Sequence, residues 1–72
     1  MTLANLNINE TKHIKRLLGD NPIKPRLLSL GFHTGNSVTI LQKSFGNVVI
    51  AVGDTRFGIA LNLLKIIEIE DE

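Results

Sequence analysis

The chain contains no cysteine, no tryptophan and no tyrosine, and among its 72 residues there are only two prolines, three phenylalanines and one methionine. Without cysteine there is no disulfide to staple the fold and no thiolate to serve as nucleophile or soft metal ligand, a composition that suits a reducing compartment. Scarce aromatics leave little on which single-stranded nucleic acid could stack. Long hydrophobic runs are missing as well: the longest, Val48 to Val52, is five residues, against the roughly twenty that a membrane-spanning helix needs. The first eighteen residues mix Asn5, Asn7, Asn9, Glu10, Lys12, Lys15 and Arg16 among apolar positions. That mixture predicts no secretory leader.

What is present describes one domain over residues 1–72. A chain this short buries only about 60% of the surface its unfolded form exposes, so a large active-site cavity would subtract from a core with little to spare. A binding or regulatory module is therefore expected, and not an enzyme. Eight Lys or Arg oppose seven Asp or Glu for a net charge of +1, but the placement is uneven: the last five residues hold Glu68, Glu70, Asp71 and Glu72. The chain reads as a basic body with an acidic, solvated end.

Glycine and proline cut the sequence into short pieces rich in β-branched residues with a period near two, the signature of strands in a small barrel. Leu3 and Leu6 offer packing in an entry segment. Thr11 to Leu18 reads as a strand with Ile14 and Leu18 on one side, although Ile14, Leu17 and Leu18 also fit helical spacing. Four turn formers, Gly19-Asp20-Asn21-Pro22, end that element. Pro25 to Leu30 reads as a short helix with Pro25 as its first residue, Gly31 just past its end, and Leu27 and Leu30 on the face that plugs the barrel. Phe32 anchors the exit. Val38 and Ile40 alternate with Thr39, a turn around Phe45-Gly46-Asn47 leads into Val48 to Val52, and Gly53-Asp54-Thr55 turns into a third strand in which Phe57, Ile59 and Leu61 alternate with Gly58 and Ala60. Asn62 to Lys65 reads as one helical turn, after which Ile67 and Ile69 face inward and the last strand closes the sheet. The expected fold is mainly β: a small five-stranded SH3-like barrel with one short helix packed on it.

Catalytic chemistry finds no support. Ser29, Ser37 and Ser44 lie in no nucleophile-elbow context beside His13 or His33, and the glycines at 19, 31, 35, 46, 53 and 58 never form a phosphate-binding run. The two histidines are twenty residues apart with no ligand repeat, so they read as surface or turn residues, and no cofactor and no metal ligand set is expected. Lys12, Lys15, Arg16, Lys24 and Arg26 cluster in the first third, yet stacking residues are scarce, with only Phe45 at a loop tip placed to meet a base, and no nucleic acid is expected as partner. A protein partner remains. Leu41 falls on the face opposite Val38 and Ile40, and Phe45 sits at the hairpin turn. With Lys43 and Arg56 around them they could form a docking patch. The other reading is that Leu41 and Phe45 cover the open end of the barrel.

The run Arg26-Leu27-Leu28-Ser29-Leu30-Gly31-Phe32, followed by Gly35-Asn36-Ser37-Val38-Thr39-Ile40, resembles the R-L-x-x-L-G-x-x-x-G-x-x-V-x-V hallmark of the FeoA family. The likeness extends to Thr2 to Leu6 and to Gly58-Ile59-Ala60-Leu61 with Ile67-Glu68-Ile69. It implies a small cytoplasmic SH3-like domain of bacterial ferrous iron uptake, accessory rather than catalytic, whose partner is the FeoB-type membrane transporter with its cytoplasmic GTP-binding domain. Transition-metal binding is implied for the family, with no ligand assigned here. The resemblance also makes Arg26 a candidate to offer charge to a partner's phosphates. Thr34, the loop at Phe45 and Asn62 depart from the family's usual proline, G-D-P and arginine. The alternative is an adaptor or metal-responsive SH3-like domain for another partner, and after it a small RNA-binding barrel.

Overall fold

Alternation between buried and exposed residues is what the strands have in common, and in the computed structural model, which describes residues 1–70, it shapes a single curled sheet. Asp71 and Glu72 of the acidic end lie outside the described residues. The strands are β1 (Thr11–Leu17), β2 (Ser37–Ser44), β3 (Asn47–Val52), β4 (Thr55–Ala60) and β5 (Ile67–Ile69). They run in the order β4-β3-β2-β1-β5, each antiparallel to its neighbours. Cross-strand pairs Val38–Val52 and Ile40–Ile50 place β-branched side chains opposite one another on the inner face, where such residues pack well against a pleated surface. Register shifts between Ile14 and Arg16 in β1 and between Ile40 and Gln42 in β2 mark bulges. Bulges sharpen local twist and bend a strand, which lets so small a sheet wrap around its own core.

Helix α1 (Lys24–Ser29) begins one residue earlier than the sequence suggests, with Pro25 in its first turn, where a missing N–H costs nothing. Leu27 is buried. Leu30, expected to plug the barrel beside it, is 36% exposed. The helix lasts only a turn and a half before the chain leaves through Gly31 at φ 111°, and Phe32 takes the interior position instead, its ring meeting Phe57 edge-on at 5.7 Å. A side chain at Gly31 would come within 3.2 Å of Val52 Cγ1, so glycine is needed there for space as well as for backbone conformation. Asn36 holds this exit in place: its Nδ2 donates to the Gly31 carbonyl at 2.8 Å and its Oδ1 accepts from the Ser37 N–H at 3.1 Å.

Two further expectations are corrected. β4 ends at Ala60, and Leu61 opens a 3₁₀ segment (Leu61–Ile66) that carries Leu64 into the core but leaves Leu61 44% exposed. The final strand does not close the sheet. β5 has three residues and pairs with β1, while its outer side is taken by the N-terminal segment: Thr2 bridges Glu68, and the Ile69 N–H donates to the Met1 carbonyl at 3.0 Å. So short a strand, occupied on both sides, has nothing left for β4. The result is the expected SH3-like, mainly β class, as a barrel-like sheet open between β4 and β5. Among the described residues no helix is long and apolar enough to cross a membrane.

Candidate functional site

The β2–β3 hairpin turns through Phe45-Gly46, with positive φ at Gly46. Asn47 and Ser44 pair on either side of that turn, so Phe45 projects from the tip with nothing to pack on and is fully exposed, at 104%. The Gly46 carbonyl accepts the Leu61 N–H at 2.9 Å, which ties the 3₁₀ segment to the hairpin tip. Exposed Leu61 therefore stands beside exposed Phe45, and with Lys43, Ser44 and Gly46 they line a shallow concavity of about 390 Å³. Lys43 extends across to the N-terminal segment, where its Nζ donates to the Leu6 carbonyl at 3.1 Å. An exposed aromatic thus stands beside an exposed aliphatic residue, a small apolar surface at the end of the hairpin.

Leu41 lies in the β2 bulge and is half-buried. Phe45 covers nothing, so the reading in which it seals the barrel's end does not describe its position. Of the charged residues proposed to ring the patch, only Lys43 is there. Arg56 pairs with Ala51 across β3–β4, next to the opposite turn at Gly53-Asp54. Four strand positions separate Ala51 from Asn47, a distance of about 13 Å. Arg26 is farther removed in kind: it lines a second concavity of about 210 Å³, between α1 and β4. Leu61 was absent from the sequence-derived site because it reads there as an inward strand residue. Three leucines in the four positions 61–64 exceed what a single turn can bury, and that excess was the available signal.

His13 and His33 are both exposed, and among the described residues no three His, Cys, Asp or Glu side chains come together as a metal site would require. His13 contributes its backbone carbonyl to the Glu70 N–H at 2.8 Å, an ordinary ladder bond.

The FeoA domain family model matches residues 1–71. Among solved structures, an iron uptake regulatory protein (FeoA) is similar at 25% identity and a TM-score of 0.82, over 97% of this chain and 96% of its own. Stenotrophomonas maltophilia FeoA, crystallised with zinc and described as a procaryotic SH3 domain protein proposed to activate bacterial ferrous iron transport, is similar at 25% identity and a TM-score of 0.84, over 97% of this chain and 89% of its own. Iron(II) transport protein A from Clostridium thermocellum is similar at 26% identity and a TM-score of 0.86, over 97% of this chain and 44% of its own. No curated protein matches.

Proposed function

This chain belongs to the FeoA domain family, and from that premise we propose that it is a cytoplasmic accessory protein of ferrous iron uptake that docks on the cytoplasmic part of a FeoB-type transporter. It works without catalysing a reaction of its own and tunes the transporter's assembly or nucleotide cycle by binding. The observation that carries the reading is the pairing of fully exposed Phe45 with Leu61 at the hairpin tip, in a family named for ferrous iron transport. Phe45 is the anchor, Leu61 and half-buried Leu41 extend its apolar surface, and Lys43 borders it. Arg56 and Arg26 stand too far from the tip to share that contact; Arg26 supplies charge to a different part of the partner. The shape of the site supports binding over turnover: it is shallow, apolar and free of any nucleophile–base pair.

The test is co-purification of the tagged protein with membrane fractions from cells that hold or lack the transporter. Retention that depends on the transporter and falls for Phe45→Ser supports the reading. Retention on membranes without the transporter, or recovery of RNA in its place, overturns it.

A further inference from the structure

The two edges of the sheet are treated differently. β5 is covered by Met1 and Thr2, but β4 takes no backbone partner on its outer side among the described residues. Its pairing with β3 identifies the groups left open. Gly53 at φ 57° and Asp54 form a two-residue turn that brings Val52 opposite Thr55. The Leu61 N–H donates to the Gly46 carbonyl and the Gly53 N–H to the Ser37 carbonyl, and with no register shift between β3 and β4 the alternation of an antiparallel ladder aims the N–H and C=O of Arg56, Gly58 and Ala60 away from β3. Open edges are commonly blunted by charged side chains, proline, a bulge or a covering segment. β4 carries one such device, exposed Arg56 near its start, and at its centre Gly58 has no side chain with which to obstruct an approaching backbone.

Along this same edge runs the groove of about 210 Å³ between α1 and β4. Ile23, Leu27, Leu30, Ile59 and Leu63 make its walls apolar, and Gly58 brings the edge backbone to its rim. Leu30, displaced from the core, is one of these walls. Arg26 stands at the groove on the exposed face of α1, and its guanidinium has no acidic partner among the described residues. Backbone donors and acceptors, an apolar slot and an unpaired guanidinium thus lie together on one edge.

We propose that β4 accepts an extended peptide segment of a partner protein as a sixth, antiparallel strand, with one aliphatic side chain in the α1–β4 groove and a carboxylate two residues away on Arg26. The two-residue interval follows from strand geometry, since alternate side chains share a face. Backbone pairing supplies affinity, as in other strand-addition complexes, while the slot and the charge supply selectivity. An arginine favours a carboxylate because its planar fork can make two parallel hydrogen bonds to it. This surface is separate from the Phe45 tip and does not depend on which protein that tip binds.

The probe is the blocked hexapeptide acetyl-Thr-Val-Leu-Thr-Glu-Thr-amide, titrated into the ¹⁵N-labelled full chain and followed by NMR. Saturable shifts are expected at the amides of Arg56, Gly58 and Ala60 and along α1, with Phe45 unmoved. N-methylation of the threonine between leucine and glutamate removes an N–H that faces β4 and abolishes the shifts. Arg26→Glu weakens the peptide about thirtyfold, within the range of a charge-assisted hydrogen bond, and a peptide with lysine in place of glutamate regains affinity for that variant. The proposal is overturned by shifts centred on Phe45, by undiminished binding of the N-methylated peptide, or by no saturable shift at millimolar concentration.

Discussion

Replacing Phe45 with serine separates a binding residue from a packing residue more sharply than any other single change in this chain. Because its ring is fully exposed, no core contact is lost, and stability should move by less than about 0.5 kcal/mol, the usual range for surface positions. For a domain of this size 1 kcal/mol corresponds to about 4–8 °C, so the melting temperature should stay within about 4 °C of the parent. Binding is another matter. Burying about 150 Å² of phenylalanine at about 25 cal/mol/Å² supplies at most about 4 kcal/mol. Ordering the side chain and imperfect desolvation of the rim reduce this to about 2 kcal/mol, or about a thirtyfold rise in Kd. Calorimetry is the suitable measure of folding, since the chain has neither tryptophan nor tyrosine for fluorescence. Co-sedimentation with transporter-containing membranes measures binding. A melting temperature lowered by 10 °C or so, or affinity unchanged by the substitution, would refute the assignment of Phe45 as anchor.

Gly31→Ala should destabilise by about 1–3 kcal/mol, since the residue is held at φ 111° and its new methyl would lie 3.2 Å from Val52 Cγ1; calorimetric unfolding checks it. Asn36→Ala removes both bonds that brace the helix exit and should cost about 1–2 kcal/mol, seen as a lower denaturant midpoint with unchanged slope. Phe32→Ala should cost about 3–5 kcal/mol, enough to leave so small a domain largely unfolded by NMR dispersion. By contrast Arg16→Gln breaks the Arg16–Glu68 bond across β1–β5, but with the arginine 63% exposed the loss should be under about 1 kcal/mol. A large, salt-sensitive loss would contradict that reading of the pair.

The strands of the β2–β3–β4 meander were legible because their side chains alternate, and alternation is a property of the local backbone. Leu3 and Leu6 in the entry segment and Ile67 and Ile69 near the end were legible as core for a related reason: they are apolar residues at regular spacing in otherwise polar stretches, with Glu68 between the last two, and all four are buried. The helical alternative for Thr11 to Leu18 lost to the strand because β1 finds partners on both sides, β2 and β5, which local spacing cannot reveal. Leu30 and Leu61 misled for one shared reason. Each sits at the end of a short element, where one residue more or less decides whether a side chain turns inward, and element ends are set by what the chain must reach next. The candidate site was legible only in part: Phe45 and Lys43 followed from the hairpin turn, whereas the adjacency of Leu61 rests on one backbone bond to Gly46 across fifteen residues of sequence.

Composition and periodicity alone determined the folding of this cysteine-free stretch as strands, its turn positions and most of its core, because these depend on side-chain chemistry and on the two-residue repeat of extended backbone. Tertiary structure alone decided the order of the strands, the covering of β5 and the exposure of β4, and so the separation of Arg26 and Arg56 from the Phe45 tip. Those outcomes depend on which distant segments pair, a competition among whole strands in which no local run of residues holds the deciding term.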